Sequence, residues 1–439
     1  MARKSMATAV FAAASLTLAG CSGAGAPSSG EAASAPADAA GVSGDITVLT
    51  QRTDLVHNGA MKKYAAEFAK VYPKVKVKFE GITDYEGEVK IRMNTEHYGD
   101  VLMIPAAIAK DDYPKFFAPL GDTAQLSSKY RFMDKTDVKG TAYGIAGFGT
   151  ANGFVYNKAV WKRAGVTDWP TTPAQFLDDL RKIREKTDAD PYYTNFKDSW
   201  PLTAWTNSLG SVSCDPQSSN KLAATDAPWS KGSDLNVIDT LLYDTVQQKL
   251  SEKDPTTTNW ENSKGLLARG KIASMQLGSW AITQMQDAAR QAGKNPDDIG
   301  FMPFPVQKNG KFCATLLSDY QQAVNTHSEH KAAARAWIDW FTEKSGYAEK
   351  EGAVSALKSA PMPSTLKAYA DNDVQFVERS ESGTAAVNAI DDAAEIGLNK
   401  PDYRQKLVDL ARGAQKGNLP DFFTDLDKRW AQARKTVSS

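Results

Sequence analysis

Tryptophans in polar surroundings are the residues of this sequence whose types and spacing most clearly suggest chemistry. The chain has 10 Trp, of which Trp200 and Trp205 lie in the segment NFKDSWPLTAW and Trp260 lies in TTNWEN. A flat ring with a polar edge suits a ligand with apolar C–H faces and a hydroxyl rim, which describes a sugar. The alternative for each ring taken singly is the hydrophobic core, where most Trp side chains are largely buried.

Trp280 lies within residues 271–285, where the hydrophobic pattern of the sequence changes most sharply. A short apolar run ends at Gly278 and Ser279, and apolar residues then recur at helical spacing from Trp280 onward. This pattern predicts a strand, a tight turn and a helix, with Trp280 at the turn. The ring would then either face a cavity beside the helix N-terminus or close a buried corner of the core.

Motifs for catalysis or cofactor binding are missing from the sequence. The 4 His form neither H-E-x-x-H nor a Cys/His set with zinc spacing, and no P-loop, G-x-S-x-G elbow or G-x-G-x-x-G fingerprint occurs. We therefore predict no catalytic residue, no metal site and no cofactor. A glycoside hydrolase needs only two carboxylates, so this class of enzyme stays open.

The start of the chain predicts export. Two basic residues precede a short apolar segment, and small residues then lead to Cys21, as in a secretory signal peptide over residues 1–20. Leu18-Ala19-Gly20-Cys21 resembles a bacterial lipobox, which implies lipidation of Cys21 and a lipid anchor at the extracellular face of the cell membrane. Residues 21–44 are mostly Ala, Ser, Gly and Pro, and they predict a disordered, lipid-anchored tether.

Composition places the rest of the chain among globular proteins. Lys and Arg number 52 against 52 Asp and Glu, with 42% hydrophobic and 24% charged residues. This neutral balance excludes a nucleic-acid partner, and the length after the tether suffices for two domains. Cys214 and Cys313 leave two alternatives open, a disulfide bond of the kind found in exported chains or two free thiols.

Alternating strand and helix patterns predict an α/β fold with a parallel sheet covered on both faces. A second unit of this kind begins near residue 155, and Thr172 followed by Pro173 predicts the start of one of its helices. The first unit has predicted strands at 46–48, 75–79 and 100–104, and predicted helices at 61–68 and 84–93.

Four passages resemble the extracellular solute-binding proteins of carbohydrate ABC transporters, family 1, the group that includes maltose-binding protein. Tyr143-Gly144-Ile145 followed by Val155-Tyr156-Asn157-Lys158 resembles that family's first crossing between lobes. Trp200-Pro201-Leu202 is similar to a passage at its sugar-binding surface, and residues 271–280 resemble the segment with a stacking Trp. Residues 317–341 together with 353–363 resemble the passage in which that family's chain returns to the first lobe. The likeness covers residues 45–439.

The resemblance implies a two-lobed α/β fold like that of periplasmic binding proteins, with a hinge and a ligand cleft between the lobes. The first lobe would comprise residues 45–154 and 314–363, and the second lobe residues 155–313 and 364–439. The protein would be a monomer that captures an extracellular oligosaccharide and delivers it to the permease subunits of an ABC importer.

The resemblance also implies which residues contact the ligand. Trp280 would be the stacking platform and Trp200 a second aromatic contact, both from the second lobe. Polar contacts would come from Asp319 and Tyr320 at the return strand, and from Asn152 near the first crossing. The remaining candidate contacts are Asp54, Asn195, Asp198, Trp205 and Trp260.

Departures from maltose-binding protein argue against a maltodextrin ligand. Ile104-Pro105 replaces a wall Trp, Ala151-Asn152 replaces an acidic residue, and residues 388–402 contain no Trp. Two other classes remain open, an exported lipid-anchored glycoside hydrolase and a binder of a non-sugar solute such as a peptide. Two carboxylates facing each other across a cleft would favour the hydrolase, and charged clamps for the chain ends would favour a peptide.

Overall fold

The computed structural model describes residues 32–36, 38–105 and 108–438. The predicted signal peptide and the predicted lipidation site at Cys21 lie outside these residues. None of the helices in the described ranges is both long and apolar enough to cross a membrane.

Fifteen strands occur in the described part of the chain, and most are short. They are β1 (Gly44–Thr50), β2 (Val75–Gly81), β3 (Val101–Met103), β4 (Gly121–Asp122), β5 (Asp137–Val138), β6 (Thr141–Ala142), β7 (Ile145–Ala146), β8 (Phe148–Asn157), β9 (Ser274–Gly278), β10 (Ile299–Met302), β11 (Gln307–Lys308), β12 (Lys311–Ser318), β13 (Gln321–Val324), β14 (Val354–Ser355) and β15 (Gln375–Glu378).

Eighteen α-helices accompany them within the same residues. They are α1 (Thr53–His57), α2 (Ala60–Val71), α3 (Tyr85–Arg92), α4 (Tyr113–Phe116), α5 (Thr123–Ser127), α6 (Lys158–Arg163), α7 (Pro173–Lys186), α8 (Trp200–Thr203), α9 (Ser218–Ala224), α10 (Asp234–Gln247), α11 (Trp260–Ala268), α12 (Ala281–Gln291), α13 (Lys331–Glu343), α14 (Tyr347–Lys350), α15 (Lys367–Asp371), α16 (Thr384–Ala394), α17 (Pro401–Ala411) and α18 (Leu419–Ser438).

A five-stranded sheet in the order β2-β1-β3-β13-β7 forms the centre of the first lobe. β1 pairs in parallel with β2 and β3, as the sequence pattern predicts, and β13 returns antiparallel to β3. Because successive side chains of a strand point to opposite faces, Ile46 and Val48 pack against α2 and α13, whereas Leu49 packs against α3. The predicted α/β class is confirmed.

A seven-stranded sheet forms the centre of the second lobe. Its main path is β10-β8-β12-β11, with β9 and β14 also paired to β8 and β15 paired to β12. One face buries Phe154 and Trp205 under α6, α7, α10 and α17, and the other buries Val155 and Met275 under α11, α12 and α15. As predicted, Thr172 caps α7, since its Oγ1 accepts the Gln175 N–H at 3.1 Å.

The chain passes between the lobes at three short stretches. Two of them join β7 to β8 and β12 to β13, and a third begins between α14 and β14. The boundaries expected from the sequence, after residues 154, 313 and 363, lie several residues away from these crossings. The difference arises because β8 and β12 are paired along their length in the second-lobe sheet. β8 starts in a glycine-rich passage whose weak strand propensity hides this pairing.

Ala33 and Val42 pack against the first lobe, so the disordered tether predicted over residues 21–44 extends too far. Ala33 is 1% exposed, and its N–H donates to the Pro119 carbonyl at 2.9 Å. Nη1 of the buried Arg335 donates to the Ala33 carbonyl at 3.1 Å. These backbone contacts hold an Ala-rich segment that composition alone would leave disordered.

Cys214 and Cys313 are joined by a disulfide bond, with their Cα atoms 5.5 Å apart. Cys313 lies in β12, and Cys214 lies in the loop that follows the short 3-10 helix Thr206–Ser208. The Thr315 N–H of β12 also donates to Ser211 Oγ in this loop at 3.1 Å. The loop is therefore fixed to the second-lobe sheet by a covalent bond as well as by hydrogen bonds.

Replacing both cysteines should lower the free energy of unfolding. The bond joins residues 99 positions apart, and restricting the unfolded chain in this way is worth about 2–4 kcal/mol. Urea unfolding of Cys214→Ser/Cys313→Ser, followed by tryptophan fluorescence, measures the loss. Wild-type protein reduced before unfolding is the matched control and should lose the same amount. Equal stability of the double variant and the oxidised wild type would contradict a stabilising role for the bond.

Candidate functional site

Three tryptophans from separate segments meet on the second lobe. The ring centroids of Trp200 and Trp260 are 4.9 Å apart, those of Trp200 and Trp280 are 5.9 Å apart, and those of Trp260 and Trp280 are 5.8 Å apart. Trp200 is 39% exposed, and the other two rings are half-buried. We call these three residues the tryptophan cluster. They form an aromatic surface that solvent reaches, which is uncommon for such large apolar groups.

The turn between β9 and α12 places Trp280 in the cluster. Ser279 and Ala151 exchange two hydrogen bonds, from Ser279 N–H to the Ala151 carbonyl at 2.8 Å and from Ala151 N–H to Ser279 Oγ at 3.1 Å. Gly278 is required because a Cβ at this position would lie 2.5 Å from Trp280 Nε1. The strand, the turn and the helix predicted around Trp280 therefore all occur, and the ring folds back over the end of β9.

Trp200 and Trp260 each begin a helix, and Asp198 links them. The Asp198 carboxylate accepts the backbone N–H of Trp260, while the Trp200 N–H donates to the Asp198 carbonyl at 2.7 Å. Nζ of Lys264 lies 5.0 Å from the centroid of the Trp260 ring. Asp198 thus acts on the cluster by holding two of its backbone segments together.

A cleft of about 1510 Å³ lies between the two lobes beside Trp280. We call it the interlobe cleft. Trp280 and Asp319 are the two predicted site residues that line it, and most of the lining is polar. The first lobe and the crossings contribute Gln51, Arg52, Thr53, Phe148, Thr150, Leu317, Ser318, Asp319, Tyr347, Lys350 and Glu351; the second lobe contributes Glu261, Asn262, Lys264, Gly265, Arg269, Trp280, Thr283, Gln284, Asp287, Ala288, Gln291 and Ala292.

Ion pairs hold three of the four cleft carboxylates. Glu351 accepts from Arg52 at 2.6 Å, and Glu261 and Asp287 pair with Lys264 and Arg290 of their own helices. The fourth carboxylate is Asp319, and burial raises its pKa. A hydrogen bond from the Tyr320 amide and the charge of Arg52 lower this pKa by less than burial raises it. The cleft therefore offers many hydrogen-bonding groups with nearly balanced charge, which suits a neutral polar ligand.

Tyr320 does not line the interlobe cleft. It lines a smaller pocket of about 350 Å³ together with Ile104, Pro105 and Tyr113, and Asp319 lines both pockets. The Tyr320 hydroxyl donates to Glu86 at 2.7 Å, and burial together with this acidic partner raises the pKa of the phenol. Tyr320 therefore lines only this smaller pocket of the two, and its hydroxyl is already hydrogen-bonded to a carboxylate.

Trp205, Asn152 and Asn195 are buried, and the prediction that Trp205 contacts a ligand is wrong. The Trp205 ring is 0% exposed and donates from Nε1 to the Tyr192 hydroxyl at 2.9 Å. Asn152 Nδ2 donates to Ser208 Oγ at 2.8 Å, and Asn195 Nδ2 contacts the sulfur of Met275. The polar sequence around Trp205 is misleading because its polar neighbours Thr206 and Ser208 are buried as well, and the ring has a buried hydroxyl partner.

Arg52 and Glu351 are the main cleft residues that the sequence reasoning missed. Arg52 follows the carboxyl end of β1, and ligands of α/β proteins gather at the carboxyl ends of parallel strands, so this rule could have singled it out. Asp54 lies two residues later, in α1. Glu351 follows α14 at the third crossing, and its place beside Arg52 depends on tertiary structure alone. Within the described residues no group of three or more His, Cys, Asp or Glu side chains could hold a metal ion.

Comparison with known proteins gives consistent matches to binding proteins. A family model described as bacterial extracellular solute-binding protein matches residues 56–348. A multiple sugar-binding protein of Streptococcus mutans is 23% identical over 317 residues, which are 69% of this chain and 73% of that protein.

Two solved structures from Bifidobacterium animalis subsp. lactis are similar over nearly their whole length. BlMnBP1, a binding protein of an ABC transporter in complex with mannobiose, is 32% identical with a TM-score of 0.78, covering 91% of this chain and 96% of that one. BlMnBP2, a manno-oligosaccharide specific solute binding protein in complex with mannotriose, is 30% identical with a TM-score of 0.77, covering 90% and 95%.

Gly278→Ala should displace the Trp280 ring and disrupt the tryptophan cluster. The added Cβ would lie 2.5 Å from Trp280 Nε1, so the ring must move. Near-UV circular dichroism, which reports on neighbouring tryptophans, should lose part of its signal while the far-UV spectrum stays unchanged.

Gly265→Ala is the matched control for this substitution. Its Cβ would approach only the mobile end of the Arg269 side chain, at 2.9 Å, and Ala in a helix is favoured over Gly by about 1 kcal/mol. This variant should keep the near-UV spectrum. An unaltered spectrum in Gly278→Ala would contradict the placement of Trp280.

Proposed function

Because the chain belongs to the bacterial extracellular solute-binding protein family, we propose that it captures an oligosaccharide in the interlobe cleft and delivers it to an ABC importer. The observation that carries this proposal is the tryptophan cluster at the edge of a cleft of about 1510 Å³. That volume exceeds the range of roughly 300–1000 Å³ that is usual for small-ligand pockets. It therefore supports a ligand of more than one sugar ring.

Trp280 serves as the platform on which a sugar ring stacks. Its ring lines the cleft, and Trp200 and Trp260 fix it from the side, so the platform loses little conformational freedom on binding. Hydroxyl groups of the sugar accept from Arg52 and donate to Asp319 and Glu351, which line the cleft nearby. Stacking supplies affinity, and these polar groups fix the orientation of the ligand.

Closure of the two lobes completes the site. Arg52, Glu351 and Trp280 come from different lobes, so one ligand touches all of them best when the lobes approach each other. The three crossings are short enough to act as hinges. A ligand that makes these contacts together stabilises the closed state by its difference in affinity between the two states.

A manno-oligosaccharide is the ligand class we propose. Support comes from BlMnBP1 and BlMnBP2, which were solved with mannobiose and mannotriose and share about a third of their residues with this chain. The ligand is bound without turnover, since three of the four cleft carboxylates are already ion-paired and a glycosidase needs an acid and a base or nucleophile across the bond.

Lipidation of Cys21 would keep the protein beside its permease. The lipobox-like Leu18-Ala19-Gly20-Cys21 supports this anchor, and the low-complexity residues that follow it would give reach. The protein would act as a monomer whose partners are the oligosaccharide, the permease subunits and, through the lipid, the membrane.

A thermal-shift screen tests the ligand class. Mannobiose, mannotriose and longer manno-oligosaccharides should raise the melting temperature, because a ligand at 100 times its Kd stabilises by about 2.7 kcal/mol. Maltotriose, chitobiose, raffinose, peptides and cations complete the panel. Chromatography of the incubated sugars should show no shortening. A shift with peptides or cations alone would refute an oligosaccharide ligand, and shortened products would favour a hydrolase.

Trp280→Ala should weaken oligosaccharide binding strongly while the protein stays folded. Aromatic anchors of binding sites are worth about 2 kcal/mol or more, so the Kd should rise about 30-fold or more by calorimetry. Trp169→Ala is the control, since Trp169 is a half-buried tryptophan of the same lobe that packs on Phe312 and Tyr369. It should lower the melting temperature and leave the Kd unchanged. Equal effects of both variants on the Kd would contradict the role of Trp280.

A further inference from the structure

Two loops that carry cluster residues are tied together along their length. One comprises residues 193–200 and ends in Trp200; the other comprises residues 252–260 and ends in Trp260. The Tyr193 hydroxyl accepts the Asn259 N–H at 3.3 Å, and the Lys197 N–H donates to Thr258 Oγ1 at 2.8 Å. With the bond from Trp260 to Asp198, these contacts link the two loops from end to end.

Glu252 forms a further link between the two loops, and this buried acid makes no ion pair with a side chain of the described residues. Its two carboxylate oxygens accept the Thr194 N–H at 3.1 and 3.0 Å, and the Thr194 hydroxyl also bonds the carboxylate. Both side chains are buried. Hydrogen bonds to an ionised acceptor are stronger than neutral ones, and leaving such a group unpaired is costly.

The residues next to Thr194 adopt backbone conformations that need such support. Asn195 has φ of 55° and Ser199 has φ of 62°, in the left-handed region that residues with a side chain rarely enter. Strained residues of this kind persist where the surrounding contacts over-determine them. Thr194 precedes the first strained residue, and Asp198 precedes the second, so the loop is held at both places.

We propose that Glu252, acting through Thr194, is a positioning residue that sets the Trp200 loop against Trp260 and Trp280 and thereby tunes the affinity for the oligosaccharide. This inference rests on the proposed function for its affinity readout. Its structural part, the arrangement of the tryptophan cluster, can be measured without any ligand. Glu252 itself lines neither of the two interlobe pockets described above.

The surroundings of Glu252 make its effect depend on pH. Burial raises the pKa of Glu252 to about 7. The hydrogen bonds from Thr194 lower this pKa, and the charge of Asp190 raises it slightly. Tyr192 and Tyr193 also face this carboxyl group, and burial raises the pKa of both phenols, so they stay neutral near pH 7. The Arg412 guanidinium contacts the same loop at Phe196, 5.4 Å from the ring centroid. Below about pH 7 the protonated acid loses its charge-assisted bonds.

Glu252→Gln and Thr194→Val test the proposal, since both keep the size of the side chain. Both should weaken the near-UV dichroism of the tryptophan cluster and raise the Kd for mannotriose about tenfold or more, because a small displacement of a binding group is costly. Thr194→Ser keeps the hydroxyl and should restore both readouts. Between about pH 5.5 and pH 8.5, the wild-type signal should change with a midpoint near 7, and the Glu252→Gln signal should stay flat.

Asp179→Asn is the matched control. Asp179 is a buried carboxylate of α7 that pairs with Lys182 at 2.8 Å, outside both loops. This variant should lower the melting temperature and leave the dichroism and the Kd unchanged. If Glu252→Gln and Thr194→Val lower only the melting temperature, in the manner of Asp179→Asn, the positioning role is refuted. If the wild type binds no oligosaccharide, the proposed function fails, and the dichroism still decides the positioning role.

Discussion

The pairing of β8 is the constraint on which the rest of the site depends. This strand leaves the first crossing and pairs with β9, β10, β12 and β14, so it connects most strands of the second-lobe sheet. Its Ala151 fixes the Gly278-Ser279 turn that presents Trp280. β8 and β10 lie close together at Gly153, since a Cβ there would be 2.4 Å from the Met302 carbonyl oxygen. A change in β8 would therefore displace the hinge and the aromatic platform together.

The chemistry of the cleft follows from combining a rigid aromatic surface with balanced charge. Ion pairs such as Arg52 with Glu351 leave hydrogen-bonding capacity on both partners and little net charge. A sugar meets both conditions, because it has apolar faces for a ring and neutral hydroxyls for paired charges. A peptide would need charged groups for its ends, and an enzyme would need carboxylates free to exchange protons.

Local patterns predicted the elements well and the identity of buried side chains poorly. The cap at Thr172 and the strand, turn and helix around Trp280 follow from short-range rules, and the structure has them. Trp205 and Asn152 were expected to contact the ligand, but both are buried and bond to Tyr192, 13 residues away, and Ser208, 56 residues away, contacts that no local pattern predicts. Ala33 is ordered by Arg335 from 302 residues away. No sequence pattern indicates a role for Glu252, because that role depends on a contact with Thr194 in a different loop.

The account depends most directly on where a sugar sits. A crystal structure of the protein grown with mannotriose measures this without reference to affinity or stability. We expect one pyranose ring to lie parallel to the Trp280 ring between the two lobes, with its hydroxyls bonded to Arg52, Asp319 or Glu351. A mannotriose bound away from Trp280, or outside the interlobe cleft, would contradict the account.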